Sequence, residues 1–201
     1  MADNGNRPDA PLRVLGIGGS TRRDSKSLVL LAAALQAAEE AGAAVTLAGV
    51  RALDLPVFDD DRPLDAYPPS LSELLAAVRA ADAFVICSPT YHGTVSGAVK
   101  NALDALNFLG SDDPPYFAGK PVALMALGGG GAANVLTSLQ HATRALNGIA
   151  ITTVVTAGGS AISGGAISDD MVRRRLGWMT GELLDLAVRL RPLTPALAGM
   201  P

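Results

Sequence analysis

Five short apolar segments of this chain are each followed by a segment of helical periodicity, and this alternation constrains the fold more than any other feature. The strand-like segments are Leu12–Ile17, Val45–Ala48, Ala83–Cys87, Pro121–Leu127 and Ile149–Thr156. The third segment is continuously apolar rather than alternating, which is typical of a strand that is buried on both faces. Five strands alternating with five helices predict a doubly wound α/β fold with a five-stranded parallel sheet.

The helical segments begin and end at recognisable signals. Gly42 suits the residue just after the first helix, and Ser70 with Glu73 predicts a capping box at the start of the second. The predicted helices are Ser27–Ala41, Ser70–Ala80, Ser96–Leu109, Ala132–Leu146 and Asp169–Leu190. Loops are predicted at 50–69, 88–95, 110–119 and 157–168, and a loop as long as the first of these is often functional.

Length, charge and cysteine content exclude several classes of protein. The 201 residues predict one domain at 12–190, with a disordered tail at 1–11 and a flexible tail at 191–201. No apolar run approaches the ~18 residues of a membrane helix, and a net charge of −3 gives no reason to expect nucleic acid as a partner. Cys87 is the only cysteine, which excludes an intramolecular disulfide and a cysteine-ligated zinc or iron–sulfur site. We expect no metal site, no membrane partner and a cytoplasmic location.

The segment Leu12–Leu31 carries the first indication of a ligand. Glycines end its strand, and hydroxyl residues and arginines follow before leucines recur at helical spacing. A helix N-terminus presents backbone N–H groups and a partial positive charge. Hydroxyls and a guanidinium beside it make a site for an anion, most simply a phosphate. The candidate ligands of this anion are Ser20, Arg22, Ser25 and Ser27.

A dinucleotide-binding turn is the competing interpretation of this segment. The third glycine of the G-x-G-x-x-G pattern is replaced by Thr21, and no acidic residue stands at 48–50 to bind a ribose. A pyrophosphate needs close backbone approach, whereas a terminal phosphate can use many hydroxyl donors. The residues therefore favour a phosphomonoester such as that of FMN. The remaining alternative is that the serines only cap the helix and the arginines are solvated.

The loop after the third strand is the second candidate. In the strand order 2-1-3-4-5 it lies beside the loop after the first strand, where the order reverses and ligands bind. Pro89 stiffens it, Tyr91 and His92 can pack against a ring, and Gly93 lets backbone N–H groups approach ring heteroatoms. His92 could also act as a general acid or base, although the favoured interpretation is that it lines the ring site without transferring a proton.

The helix that follows this loop carries charged residues of a different kind. Lys100 and Asp104 are four residues apart, a spacing at which opposite charges can pair on a helix. We interpret both, together with Asn101, as structural or subunit-contact residues.

Two motifs in order give the chain a specific resemblance. The first is Gly19-Ser20-x-Arg22-x-x-Ser25, and the second is Ser88-Pro89-x-Tyr91-His92-Gly93 followed by Ser96-Gly97-x-x-Lys100-Asn101-x-x-Asp104. Over residues 12–156 they resemble the NADPH-dependent FMN reductase family. That family is flavodoxin-like, with the sheet order 2-1-3-4-5, and includes FMN reductases, azoreductases, quinone reductases and chromate-reducing enzymes.

The resemblance implies an FMN site and its residues. Ser20, Arg22, Ser25 and Ser27 would hold the phosphate, although family members often have asparagine where Ser27 stands. The ring edge would be followed by Pro89, Thr90, Tyr91, His92 and Gly93, and many members have asparagine where His92 stands. Gly128 and Gly129 would be further flavin contacts, unless the glycine run is a plain strand-to-helix turn.

The function implied is that of an FMN-dependent NAD(P)H oxidoreductase. NADPH or NADH would give a hydride to FMN, and the electrons would go on to a quinone, an azo compound, a metal ion or a partner monooxygenase. Because the cofactors carry this chemistry, no catalytic residue is assigned beyond the candidate His92. The alternatives are an electron carrier without enzymatic activity, such as a flavodoxin, and a binding protein without a cofactor.

A second subunit commonly completes the flavin site in this family. The resemblance therefore implies a homodimer or homotetramer. The candidate subunit contact is the helix 97–109 together with the loops 110–119 and 50–69.

Overall fold

The architecture is that of a parallel sheet covered by helices on both faces. A computed structural model describes residues 10–191, and the predicted tails fall outside that range except for residues 10, 11 and 191. The sheet strands are β1 (Arg13–Gly18), β2 (Ala44–Gly49), β3 (Ala83–Tyr91), β4 (Thr94–Val95), β5 (Pro121–Leu127), β6 (Ile149–Ala150) and β7 (Val155–Ala157). The helices are α1 (Lys26–Glu40), α2 (Val50–Leu53), α3 (Pro69–Ala80), α4 (Gly97–Asp104), α5 (Ala132–Ala145) and α6 (Asp170–Leu190).

The strand order confirms the predicted topology. The main path is β2-β1-β3-β5-β6 with parallel pairing throughout, and β7 also pairs parallel with β5. This is the order 2-1-3-4-5 once β4 is set aside, because β4 only forms an antiparallel hairpin with the end of β3. The order reverses between β1 and β3, so the carboxyl ends of these two strands flank the crevice where ligands bind in such sheets.

Side chains of the central strands alternate between two buried layers. Leu15 and Phe84 belong to the cluster beneath α3, α4 and α5, whereas Val14 and Val85 belong to the cluster beneath α1 and α6. Because helices cover both faces of the sheet, neither face of β1 or β3 is exposed to solvent, which explains their continuous apolar sequence.

The prediction of one continuous fifth strand at Ile149–Thr156 is wrong. It is broken into β6 and β7, and the carboxylate of Glu182 on α6 accepts the backbone N–H groups of Thr152 (2.8 Å) and Thr153 (2.9 Å) between them. These hydrogen bonds replace those that a continuous strand would make to β5.

The capping box at Ser70 is also wrong. Helix α3 begins one residue earlier, with Pro69 in its first turn and no side-chain cap. A proline suits the first helical position because its missing N–H has no partner there anyway. The Ser70 hydroxyl instead donates to the Leu53 carbonyl (2.6 Å), which ties α3 to the end of α2.

Three predicted segments contain structure that the sequence did not indicate. The helix Ser96–Leu109 is α4 followed by a 3₁₀ helix at Ala105–Leu109, and the loop 50–69 contains α2 and a 3₁₀ turn at Leu64–Ala66. The loop 157–168 contains a 3₁₀ turn at Gly159–Ala161 and a hairpin, β8 (Ile162–Ser163) and β9 (Ala166–Ile167). The first helix agrees with its prediction within one residue, and Gly42 follows it with φ +93° as expected.

Candidate functional site

A cluster of buried hydroxyls lies where α1 begins. Ser25 caps the helix, and its Oγ accepts hydrogen bonds from the Ser20 N–H (3.0 Å), the Ser20 hydroxyl (2.8 Å) and the Leu28 N–H (3.2 Å). The Ser27 hydroxyl is 3.1 Å from the Ser25 hydroxyl. All three serines are buried. The structure therefore brings three of the four predicted phosphate ligands together.

The electrostatics around this cluster suit an anion. Among residues 10–191, the backbone N–H groups of Lys26 and Ser27 donate to no acceptor, as expected for the first turn of a helix. Arg22 does not touch the serines: its side chain is 70% exposed and its Nε is 3.6 Å from an Asp24 carboxylate oxygen. An exposed ion pair of this kind is weak, so the guanidinium can turn toward a bound anion at little cost.

Two basic residues near the serine cluster donate hydrogen bonds to backbone carbonyl groups. The Arg51 guanidinium, on α2, donates to the Thr21 carbonyl, and the Lys26 ammonium donates to the Gly159 carbonyl (2.5 Å). Sequence analysis did not single out Arg51. Arg51 comes directly after the second strand, and the ends of β1 and β2 are adjacent in the predicted order. This position could have indicated that Arg51 lies near the loop after β1.

Backbone contact joins the ends of β1 and β3. The Gly19 N–H donates to the Cys87 carbonyl (3.0 Å), and Gly18 pairs with Cys87 in the ladder. A Cβ at Gly18 would lie 2.0 Å from that carbonyl oxygen, so only glycine allows this approach. The loops after β1 and β3 are therefore neighbours, as the strand order predicted. Burial raises the pKa of the Cys87 thiol, so this cysteine is not a nucleophile at neutral pH.

The predicted loop 88–95 is wrong, because it is a β-hairpin. Strand β3 extends to Tyr91, which pairs with Thr94, and the connection between them is only His92 and Gly93. Both have positive φ, +47° and +82°, the pattern of a type I′ turn. Asn-Gly is the preferred pair in such turns, and here His92-Gly93 takes its place.

The side chains of this hairpin divide between buried and exposed. Pro89 is buried within the sheet, where it pairs with Leu127 of β5, whereas Tyr91 is half-exposed. His92 is exposed and has no hydrogen bond or ion pair within the described part of the chain. The geometry thus offers the Tyr91 and His92 rings to the surface beside the crevice.

Thr90 has a buried hydroxyl without a partner. Its Oγ1 is one of two such side-chain atoms in residues 10–191. A Cβ at Gly128 would lie 2.3 Å from this oxygen, and one at Gly131 would lie 2.6 Å from the Thr90 methyl. Gly129 has open space around it. Gly128 and Gly131 are therefore needed to accommodate Thr90, whereas Gly129 faces space that a ligand could occupy. Sequence analysis missed Gly131, because a run of four glycines does not show which of them meet a neighbour.

A cavity of about 290 Å³ lies beside the loop that follows β1, between α2 and α4. Thr21, Arg51, Asp54 and Asn101 are among its lining residues. Asn101 also fixes the neighbouring segment, because its amide donates to the Pro56 carbonyl (2.8 Å) and accepts the N–H of residue 58 (2.8 Å). This contact gives Asn101 a structural role, and its alternative role in a subunit contact stays a prediction.

The pairing of Lys100 with Asp104 is confirmed as well, since their charged atoms are 2.5 Å apart. Residues 10–191 contain no group of three or more His, Cys, Asp or Glu side chains that could hold a metal ion. None of the helices described is long and apolar enough to cross a membrane.

The fold and the crevice define a flavodoxin-like α/β protein. A profile of the family described as NADPH-dependent FMN reductase matches residues 12–162, three quarters of the chain. The chain belongs to this family. The match confirms the resemblance inferred from the two motifs.

Individual proteins agree with that membership. The chain is 37% identical over 127 residues to a "Probable NADPH:quinone oxidoreductase 2" of Oryza sativa subsp. japonica, covering 63% of this chain and 61% of the relative. It is 35% identical over 122 residues to an "NADPH azoreductase" of Bacillus sp. (strain OY1-2), covering 58% and 63%. The chain thus spans about three fifths of the length of these curated relatives.

Among solved structures, FerB from Paracoccus denitrificans, a flavoenzyme NAD(P)H:(acceptor) oxidoreductase, superposes with a TM-score of 0.71. The match covers 89% of this chain and 98% of FerB. At 23% identity this similarity establishes the fold alone.

Proposed function

We propose that this chain is an FMN-dependent NAD(P)H oxidoreductase. The observation that carries the proposal is the backbone joint between Gly19 and Cys87, which sets a buried hydroxyl cluster beside the end of β3. The end of β3 carries the buried Thr90 hydroxyl, which has no hydrogen-bond partner among residues 10–191. A phosphate at one end and a ring with hydrogen-bonding edges at the other would use both features, and FMN has this form.

The residues present fit FMN. Ser20, Ser25 and Ser27 would hold its phosphate at the start of α1, with Arg22 turning from Asp24 to add a charged hydrogen bond. Burial of a polar group without a hydrogen bond is costly, so the Thr90 hydroxyl is suited to meet a ligand atom. The remaining ring contacts proposed are Pro89, Tyr91, His92, Gly93, Gly128 and Gly129.

Bound FMN would supply the redox chemistry by taking a hydride from NAD(P)H and passing electrons to a second substrate. The protein's own residues would bind the cofactor and orient it. The hydroxyl cluster would hold one end of the ligand, and the Gly93 backbone, which has φ +82° in the turn, would approach the ring at the other end. His92 lies at the tip of the turn without a carboxylate partner within residues 10–191, so we assign it to the wall of the site rather than to proton transfer.

The proposed second substrate is a small molecule of the quinone or azo class. Support comes from the two relatives, one described as a quinone oxidoreductase and the other as an azoreductase. A metal ion or a partner monooxygenase as the acceptor would be alternative outcomes of the same assay. We place the reaction in the cytoplasm, where NAD(P)H is available and a lone free thiol such as Cys87 is usual.

We further propose that the site face mediates a homodimer, or one contact of a homotetramer. The face consists of 97–109, 110–119 and 50–69. Support comes from Val57, whose side chain is 83% exposed in a segment that Asn101 holds in a fixed position. In the proposed dimer the second subunit would cover this side chain.

The test is an absorbance titration of the purified protein with FMN, followed by NADPH and then NADH under nitrogen. We expect bound FMN to bleach on addition of the nucleotide, and its colour to return when a quinone or azo dye is added. Protein that takes up no FMN would overturn the proposal and favour a binding protein without a cofactor. FMN uptake without NAD(P)H oxidation in the presence of any acceptor would instead identify an electron carrier.

A further inference from the structure

The outward face of α6 has large side chains that nothing in the described chain covers. Met171, Trp178 and Val188 are 57%, 62% and 60% exposed, although each is a large apolar residue. The opposite face of the helix is buried, through Val172, Leu176, Met179, Thr180, Leu183 and Ala187. Large apolar residues aligned on one exposed stripe of a helix are typical of an interaction surface.

The stripe follows the spacing of a coiled-coil seam. Its members alternate three and four residues apart along the helix, which keeps all of them on one side. They are Met171, Arg174, Trp178, Gly181, Asp185 and Val188, and all six are exposed. We call this set the α6 seam.

Two copies of the α6 seam are complementary when their helices run antiparallel. Its pairs are Met171 with Val188, Arg174 with Asp185, and Trp178 with Gly181, and each pair is centred on the same point between Met179 and Thr180. When two antiparallel helices meet there, an apolar residue faces an apolar residue, a cation faces an anion, and the largest side chain faces the smallest. Flanking the seam, Asp170 and Arg189 are related by the same reversal.

We infer that the α6 seam is an interface between two copies of this chain, packed antiparallel about a two-fold axis. Isologous contacts require that residue i face residue j and that j face i, and the seam satisfies this for every pair. A parallel arrangement would instead set Arg174 against Arg174 and Asp185 against Asp185, which is repulsive. The sequence therefore specifies the direction as well as the partner.

Arg174 is available for this contact. Its neighbours are engaged within their own chain: Arg173 binds the Ile167 carbonyl and Asp170, and Arg175 binds the Val154 carbonyl. Arg174 makes no hydrogen bond or ion pair with residues 10–191. Asp185 has only an exposed pairing with Arg189 (3.0 Å), which a facing arginine can share.

One of the two glycines inside α6, Gly181, is explained by the same contact. Gly177 and Gly181 lie inside the helix, where each costs about 0.5–1 kcal/mol relative to alanine. A Cβ at either would meet no atom within 4 Å, so packing within this chain does not require glycine. Close approach of the partner's Trp178 ring to Gly181 would require it.

This interface is separate from the proposed site face. Helix α6 packs with α1 on one side of the sheet, whereas α4 lies on the other. Two isologous contacts on opposite sides of a subunit generate a tetramer when their two-fold axes intersect at right angles. A contact between one helix of each copy is expected to bury less surface than a standard interface of about 1,200–2,000 Å², so we expect association through the seam to be reversible and to depend on concentration.

Charge reversal tests the pairing directly. We would measure mass by sedimentation over a wide concentration range for the wild type, Arg174→Asp, Asp185→Arg and the double variant. Each single reversal places like charges opposite each other twice per interface, and we expect it to raise the dissociation constant roughly 10- to 100-fold. The double variant restores opposite charges and should recover the wild-type mass. Arg144→Asp, on the exposed face of α5, is the matched control and should leave the dissociation constant unchanged.

Trp178 gives a second readout, because it is the only tryptophan in the chain. We expect its emission maximum to shift to shorter wavelength as the wild type associates, and to stay at the exposed value in Arg174→Asp. Circular dichroism would verify that every variant is folded. A wild type that never associates, or single reversals that leave both mass and emission unchanged, would overturn the inference. So would a double variant that remains as weak as the single ones while folded.

Discussion

Replacing Thr90 by valine should change stability and FMN affinity in opposite directions. Valine has nearly the same shape as threonine but lacks the hydroxyl, and in this structure that hydroxyl is buried without a partner. Leaving a buried polar group without a partner costs about 1–3 kcal/mol. The FMN-free Thr90→Val protein should therefore be more stable, by roughly 2–4 °C in Tm for each kcal/mol in a domain of this size.

FMN binding should become weaker in the same variant. A hydrogen bond between neutral groups contributes about 0.5–1.5 kcal/mol, so its loss should raise the Kd for FMN roughly 2- to 12-fold. Because the wild type gains this bond only with FMN bound, the stability advantage of Thr90→Val should shrink when FMN is saturating. Fluorescence titration of FMN and thermal unfolding with and without FMN measure both effects.

Thr143 supplies the matched control for this experiment. Its hydroxyl is the other buried side-chain atom without a partner in residues 10–191, and it lies beside Val122 at the start of β5, away from the crevice. Thr143→Val should raise Tm and leave the Kd for FMN unchanged. If Thr90→Val binds FMN as tightly as the wild type, the Thr90 hydroxyl does not meet the ligand and our reasoning is refuted.

Three further predictions concern charge, backbone conformation and pH. Arg22→Ala should weaken FMN binding by about 1–3 kcal/mol through loss of a charged hydrogen bond, whereas Arg23→Ala should not; equal affinities in a titration would remove Arg22 from the site. His92→Asn should preserve the hairpin and NAD(P)H oxidation. His92→Val should lower the free energy of unfolding by about 1–2 kcal/mol, because a β-branched residue is strained at positive φ. Chemical denaturation of the two variants measures this difference. Hydrogen bonds from Thr153 and Thr152 lower the pKa of Glu182, so its contribution to stability is present above the ordinary pKa and lost as pH falls through the lowered value. Glu182→Gln should therefore be less stable than the wild type at pH 7 but not at pH 2 in urea titrations, and a constant difference between them would contradict this linkage.

The strands and helices could be predicted because each element carries its own periodic pattern, whereas the order of the strands was implied by the resemblance to the FMN reductase family. Leu15 and Val14 point to different buried layers, so the run that contains them has no polar alternation and indicates a central strand. The serines that meet at the start of α1 lie within eight residues of one another. Local signals of this kind are sufficient for a motif whose parts are adjacent in sequence.

The errors lie where distant residues decide the structure. The break between β6 and β7 depends on Glu182, thirty residues away, and nothing between 149 and 156 indicates it. The hairpin at the end of β3 was missed because Pro89 and polar residues resemble a loop, and because His92-Gly93 is not the usual turn pair. Thr90 gained significance only once its lack of a partner was visible.

The joint between β1 and β3 consists of backbone atoms, and this determines which positions can vary. Since the bond uses the Cys87 carbonyl rather than its thiol, side chains at the end of β3 can be exchanged without moving the two loops apart. Gly18 has no such freedom, because any side chain there would collide with that carbonyl. Selection can thus alter what the crevice accepts by changing loop side chains, while one glycine keeps the distance between the loops constant.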